Sequence, residues 1–194
     1  MAKGREGRPP TLTERARRAQ LIEVAIEQVA EHGYAGTSLS RIADGAGITK
    51  AAVLYHFSSK DAVILAAYDH VLAALVETVG AAVDAAEDAG KPAAYARAMI
   101  GHLRARPRHT RMLIEAVTGT AAEHAPEARW RPLAGLLDGA VRARGGAGID
   151  ARTTALAIGG AIDAIVAERL RDPAYDTAAA AEVLAAMIDT WITR

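Results

Sequence analysis

Between Thr37 and Lys60 the chain reads TSLSRIADGAGITKAAVLYHFSSK, and Gly47 near its middle divides two short helical stretches. A residue with positive φ is most easily accommodated without a Cβ, so Gly47 suits a tight reversal between them. The first stretch runs from about Ser38 to Ala46, and the second opens at Thr49. Two short helices joined by a glycine turn have the layout of a helix-turn-helix, whose second helix is narrow enough to enter the major groove of DNA. At 100° per residue, Val53 and Phe57 fall on one side of the second helix, where they are expected to pack on Ile42, Ala43 and the helix N-terminal to this pair. The other side carries Lys50, Ala51, Leu54 and Tyr55. Apolar residues pointing outward suit contact with thymine methyl groups, with Lys50 available for a guanine edge or a phosphate. Thr37 and Ser38 stand where side-chain oxygens cap a helix N-terminus, a terminus that also suits a phosphate, and Lys60 adds a charge nearby.

The flanking sequence is helical throughout. Thr13 is the expected N-cap of a first helix whose stripe is Leu21, Ile22, Ala25, Ile26 and Val29, ended by Gly33. Ser58 or Ser59 caps a long fourth helix with the stripe Val63, Ile64, Ala67, Val71, Leu75, Val79 and Ala82, broken at Gly90–Pro92. Further helices are predicted over about 93–106, 108–118, 127–144, 150–171 and 177–191, separated by proline, glycine and aspartate. β-branched residues nowhere alternate with polar ones over a strand's length. The expected class is all-α with nine helices. Residues 1–12 are expected to be a disordered basic arm, 13–58 a three-helix DNA-binding domain and 59–194 a helical ligand-binding and dimerisation domain.

Charge supports this division. Net charge is zero, yet residues 1–60 carry nine Lys/Arg against six Asp/Glu, leaving the remainder acidic. A basic front suits phosphate and an acidic rear does not. With no cysteine there is no disulfide, thiolate metal site or cysteine nucleophile. No apolar run approaches the roughly 18 residues that span a bilayer, and MAKGREGRPP lacks the apolar core of a signal peptide. The expectation is a soluble, cytoplasmic protein without a membrane partner. No HxxxH or HExxH pair, P-loop, dinucleotide fingerprint or Ser/His/Asp array is present, so neither metal, cofactor nor enzymatic activity is expected. An enzyme reading would require Glu115, His102, His109 and Asp163 to converge.

The run GYAGTSLSRIADGAGITKAAVLYHFSSKDAVI resembles the N-terminal domain of the TetR family of transcriptional repressors. The resemblance rests on Gly33, Thr37–Ser38, Ile42–Ala43, Ala46–Gly47–Ile48, Tyr55, Phe57, Lys60 and Asp61, and covers roughly residues 15–65. It implies a homodimer that sets two recognition helices in successive major grooves of a palindromic double-stranded operator. Carried over by position, the implied DNA contacts are Ser38, Ser40 and Arg41, then Thr49, Lys50, Ala51, Ala52, Leu54, Tyr55 and His56, and finally Lys60. Many family members have tyrosine where this chain has Leu54 and glycine where it has Ala51, and leucine cannot donate to phosphate. The resemblance also implies an effector cavity in the C-terminal domain and a dimer built from its last two helices.

Those last two helices are rich in small residues interleaved with large ones, which lets helices approach and interlock. The expected dimer face comprises Ile158, Gly159, Ile162, Ile165, Leu184 and Ile188. A cavity for a small, largely apolar effector is expected among Tyr68, Leu72, Tyr95, Met99, His102, Leu103, Leu113, Val117, Trp130, Leu133 and Leu137, with His102 the polar group placed to orient the ligand. The expected function is a ligand-responsive homodimeric repressor. The alternative is an activator or other regulator without a small-molecule effector.

Overall fold

The computed structural model describes residues 11–119, 126–146 and 148–193. Most of the expected basic arm, and the loop near His124, lie outside them. Among the described residues there are nine α-helices and no strand: α1 Leu12–Gly36, α2 Leu39–Gly45, α3 Lys50–His56, α4 Lys60–Asp84, α5 Lys91–Ala105, α6 Pro107–Gly119, α7 Arg131–Ala143, α8 Ala151–Arg171 and α9 Thr177–Trp191. The all-α, nine-helix expectation holds.

Local chemistry sets the ends. The N-cap of α1 is Thr11 rather than Thr13, because only Thr11 has a glutamate three residues on. Its hydroxyl accepts from the Glu14 N–H, and the Glu14 carboxylate accepts from the Thr11 N–H. Asp150 and Asp176 cap α8 and α9, each carboxylate accepting backbone N–H groups that hold it below the ordinary aspartate range. For Asp150, the Thr153 hydroxyl is the largest contributor.

Two compact units emerge, one of Met1–Val71 with Arg111–Ala121, the other of Leu72–Thr110 with Ala122–Arg194. Helices α4 and α6 each run from one unit into the other. The first unit thus takes in more than the 13–58 read from the sequence. Its core joins Leu21, Val24, Ala25, Ile26 and Val29 of α1 to Ile42, Ala43, Val53 and Phe57, all buried.

The second unit packs α5 against α7, α8 and α9. Its core includes Ile100, Leu133, Leu137, Ile158, Ile162, Leu184, Ile188 and Ile192, each worth roughly 1.5–3 kcal/mol when fully removed from water. Arg97 forks onto Glu182 at 2.8–3.0 Å, and Arg144 ties the C-terminal end of α7 to Asp189 of α9 at 2.8 Å.

Helix α4, at 25 residues and with a mean hydropathy of 1.6 over its best window, is long and apolar enough to cross a membrane by length and composition. Its stripe Val63, Ile64, Ala67, Val71, Leu75 and Val79 is buried within the protein, while Asp69, His70 and Glu77 are exposed. Of the six residues expected at a dimer face, four are enclosed by the chain itself. Ile158, Ile162, Leu184 and Ile188 are buried in the chain's own core, and Gly159 and Ile165 are half-buried. The most regular apolar stripe on each helix is the one its own unit takes inward. The opposite side of α8 exposes Leu156 (51%), and that of α9 exposes Val183 (62%) and Met187 (46%).

Candidate nucleic-acid interface

Ser38 accepts from the Arg41 N–H at 3.2 Å and starts α2. The reversal follows at Gly47, whose φ is +65°. There the Gly47 N–H reaches the Asp44 carbonyl at 3.1 Å and the Ile48 N–H reaches the Ala43 carbonyl at 3.0 Å, which satisfies the last carbonyls of α2. Thr49 then caps α3, its hydroxyl accepting from the Ala52 N–H at 3.2 Å. Ser38 and Thr49 therefore have structural duties, and each hydroxyl retains its own proton for a further acceptor.

Helix α3 is sharply two-sided. Val53 is fully buried and Phe57 nearly so, while Leu54 (43% exposed) and Tyr55 (65%) face out with Lys50 and Ala51. The outward face read from the wheel is thus the outward face observed. Ser38, Ser40, Arg41 and Thr49 are exposed as well, and Ala52 and His56 are half-buried.

Helix α1 holds α3 in place. The Arg18 guanidinium lies 4.0 Å over the Phe57 ring and donates to the His56 carbonyl. Gln20 reaches the Ala46 carbonyl at 3.4 Å. The Tyr55 hydroxyl donates to Glu14 at 3.2 Å, and its ring meets His56 edge-on at 5.0 Å. Sequence reasoning missed Glu14 and Arg18 as members of this constellation. They lie about forty residues from their partners, and in the sequence they are two charges among many.

Lys60 is less available than its position suggests. Its ammonium donates to the Tyr34 carbonyl at 2.6 Å and sits 3.9 Å over the Tyr34 ring. The Tyr34 hydroxyl donates to Asp61 at 2.5 Å. That hydrogen bond, helped by burial and the Asp61 charge, pushes the phenol above its ordinary value. Of the three ammonium protons on Lys60, one is committed within the fold.

The far end of α1 is finished by α6. At Gly33 the helix leaves α geometry (φ 68°, ψ 173°) before a last turn to Gly36. Glu115 accepts from the freed Tyr34 N–H at 2.9 Å, and Arg111 donates to the Ala30 carbonyl at 2.9 Å. The Thr37 hydroxyl closes the corner on the Gly33 carbonyl at 2.8 Å.

The residues proposed for a ligand are divided. Tyr68 and Leu113 belong to the first unit, and the side chain of Val117 lies outside the described ones. In the second unit, Leu133 and Leu137 are core, with Tyr95, Met99, Leu103 and Trp130 packed against them; Leu72 is half-buried. His102 is buried rather than superficial, at 3% exposure. Its Nδ1 lies 2.9 Å from Arg106 Nη1 and 3.0 Å from the Thr78 hydroxyl. Arginine only donates, so Nδ1 is the acceptor and the hydrogen of the neutral ring is on Nε2. Burial first, then the Arg106 charge, then His109, hold this imidazole below the ordinary histidine value.

Comparison with known proteins agrees with this geometry. Residues 21–67 match the family model for bacterial regulatory proteins of the tetR family. The probable acrEF/envCD operon repressor of Escherichia coli (strain K12) is 49% identical over 43 residues, 22% of this chain. That match spans only 20% of the relative's length. In three dimensions, a transcriptional regulator from Pseudomonas aeruginosa PAO1 aligns with a TM-score of 0.79 at 23% identity, covering 92% of this chain and 91% of its own. The regulator FadR of Bacillus subtilis, solved in complex with stearoyl-CoA, aligns with a TM-score of 0.71 at 19% identity, covering 89% of this chain and 97% of its own. At such identities the two structures establish a common fold. The chain carries, within that fold, the helix-turn-helix DNA-binding domain of the tetR family of bacterial regulatory proteins.

Proposed function

We propose that this protein is a cytoplasmic, homodimeric transcriptional repressor that leaves a palindromic operator when a small molecule binds its C-terminal unit. The observation that carries the reading is α3. It is a capped helix with a buried inner face, and it leaves Leu54 and Tyr55 in water beside Lys50. Large apolar groups on a short helix cost free energy in the isolated chain, and thymine methyls and sugar edges would cover them. Lys50 and Arg41 would meet a guanine edge or phosphates, with Ser38, Ser40 and Thr49 fixing the register on the backbone.

A two-fold pair of such helices reads a palindrome. In this reading the pair is made by the exposed side of α8 and α9, around Leu156, Val183 and Met187. The effector is a largely apolar molecule, in keeping with the stearoyl-CoA bound by the Bacillus subtilis relative in fold. Effector and operator oppose each other through α4 and α6, the helices that run continuously from one unit to the other. The coupling is reciprocal and typically about 1–3 kcal/mol.

Selecting bound duplexes from random-sequence DNA tests the first half of the reading. A palindromic consensus with half-sites about one helical turn apart is the expected result, and no enrichment over repeated rounds rejects it. Titrating the selected duplex in the presence of long-chain acyl thioesters tests the second half, with release as the expected outcome.

A further inference from the structure

The exposed face of α3 carries basic and apolar groups, yet a carboxylate is bonded to it. Glu14 sits at the third position of α1. One of its oxygens accepts from the Thr11 N–H at 2.7 Å, and the other accepts from the Tyr55 hydroxyl at 3.2 Å. A phenol has one proton. While it points at Glu14, the outermost polar atom of Tyr55 cannot donate to anything else, although the ring is 65% exposed. A phosphate approaching this edge meets a tyrosine whose donor is committed and, behind it, a full negative charge.

Building on the DNA-binding reading above, we propose that Glu14 is an acidic attenuator of the DNA face, which withholds the Tyr55 hydroxyl from phosphate and lowers the sequence-independent part of affinity. The capping box explains a Glu or Gln at this position equally well. It does not require the charge, and it does not require the second oxygen to be held by a residue of the recognition helix. Non-specific binding rests almost wholly on phosphate contacts, so one carboxylate at this edge acts on the term that would hold the protein on arbitrary DNA.

The separating variant is Glu14→Gln. Glutamine keeps the cap and its shape while it removes the charge and turns the oxygen that faces Tyr55 into an amide donor, so the fold is retained and the phenol loses its acceptor; an unchanged melting curve verifies the first point. Binding of the full chain is measured by fluorescence anisotropy on two duplexes, one selected from random DNA and one scrambled, across a series of KCl concentrations. Tyr55→Phe and the double variant are run alongside. Glu14→Gln should bind both duplexes several-fold more tightly at low salt, with a steeper log K against log salt by up to about 0.9, the scale of one unit of charge opposite the phosphates, here the carboxylate removed. Tyr55→Phe should cost little in the wild type and several-fold more in the Glu14→Gln background, where the phenol's proton is free for phosphate. Equal or weaker binding by Glu14→Gln, with an unchanged slope, overturns the proposal and makes Glu14 a cap alone. Failure of every protein, wild type included, to bind either duplex at low salt is a different result. It refutes DNA binding itself, and the role of Glu14 with it.

Discussion

Replacing Gly33 by alanine tests whether the joint between α1 and α6 is built as described. At φ 68° and ψ 173° Gly33 occupies a backbone region that is essentially glycine-only, and a side chain there costs about 1–3 kcal/mol in backbone strain. A Cβ at this position would also stand 3.0 Å from the Glu115 carboxylate oxygen that accepts from the Tyr34 N–H. Moving that oxygen by a few tenths of an ångström weakens a charge-assisted hydrogen bond worth roughly 1.5 kcal/mol. The expected loss is therefore about 2–4 kcal/mol, a large share of a typical stability of roughly 5–15. Gly47→Ala is the control, because Gly47 has nearly the same φ but open space where its Cβ would fall; it should cost only about 1–2 kcal/mol. Tryptophan fluorescence is a poor probe, since Trp130 and Trp191 both belong to the second unit. Urea titration followed by circular dichroism, with hydrogen exchange of the α1 amides over 21–30, reports on the right place. Gly33→Ala should exchange faster there than both wild type and Gly47→Ala. Equal stabilities of the two variants, with unchanged exchange in α1, would refute the account of the joint.

Other substitutions separate neighbouring roles. Ile188→Ala opens a cavity in the second unit's core and should cost about 2–5 kcal/mol by chemical denaturation, whereas Met187→Asp on the exposed side should leave the monomer's stability within about 0.5 kcal/mol. Sedimentation should then show Met187→Asp shifted toward monomer, and a variant that stays dimeric would move the interface elsewhere. Lys60→Met removes both the bond to the Tyr34 carbonyl and the contact with its ring, so about 1–2 kcal/mol of stability should go. Its effect on the salt slope of DNA binding should be well under the 0.9 of a wholly free phosphate contact. His102 is held neutral in the folded chain and reaches the ordinary value of 6.5 when unfolded. Its contribution is complete above that pH and declines as pH falls toward the depressed native value, because the unfolded chain then binds the extra proton. His102→Gln should flatten the acid side of a stability–pH curve by up to about 1.4 kcal/mol per pH unit over that window. An unaltered curve would show that His102 is not the group responsible.

What was legible in the sequence follows from the range of the forces involved. The caps of α2, α3 and α8, the Gly47 turn and the two-sidedness of α3 are set by residues within four positions of one another and were readable, whereas the cap of α1 was placed at Thr13 and stands at Thr11. The ends of α8 and α9 were legible because aspartates cap both helices. The fourth helix covers its apolar stripe but stops at Asp84, short of the expected break at Gly90–Pro92, since periodicity gives the face of a helix and not its last turn. Four of the residues expected at a dimer face prove to be buried within one chain for a related reason. Hydrophobic spacing identifies a buried stripe without saying whose atoms bury it, and Ile158, Ile162, Leu184 and Ile188 are covered by their own chain. Glu14 on Tyr55 and Glu115 on Tyr34 were invisible because a single charge has no period.

The joint at Gly33 also explains why the DNA-binding unit reaches beyond the helix-turn-helix. A helix that breaks in mid-course frees a carbonyl on one side and an N–H on the other, and neither can be left buried and unpaired without a penalty of about 1–3 kcal/mol. In this chain the two partners come from one helix eighty residues away, four positions apart and therefore on one face: Arg111 for the Ala30 carbonyl and Glu115 for the Tyr34 N–H. The same corner carries the Tyr34 carbonyl that Lys60 holds at the start of α4. So α1 meets both helices that continue into the second unit at the turn where its own geometry is interrupted. A displacement of α4 or α6 would act on those polar bonds, whose geometry tolerates only small movement, before it acted on the apolar packing of α1. Within the unit that holds α3, the Gly33–Thr37 corner is therefore where polar bonds tie α1 to both α4 and α6.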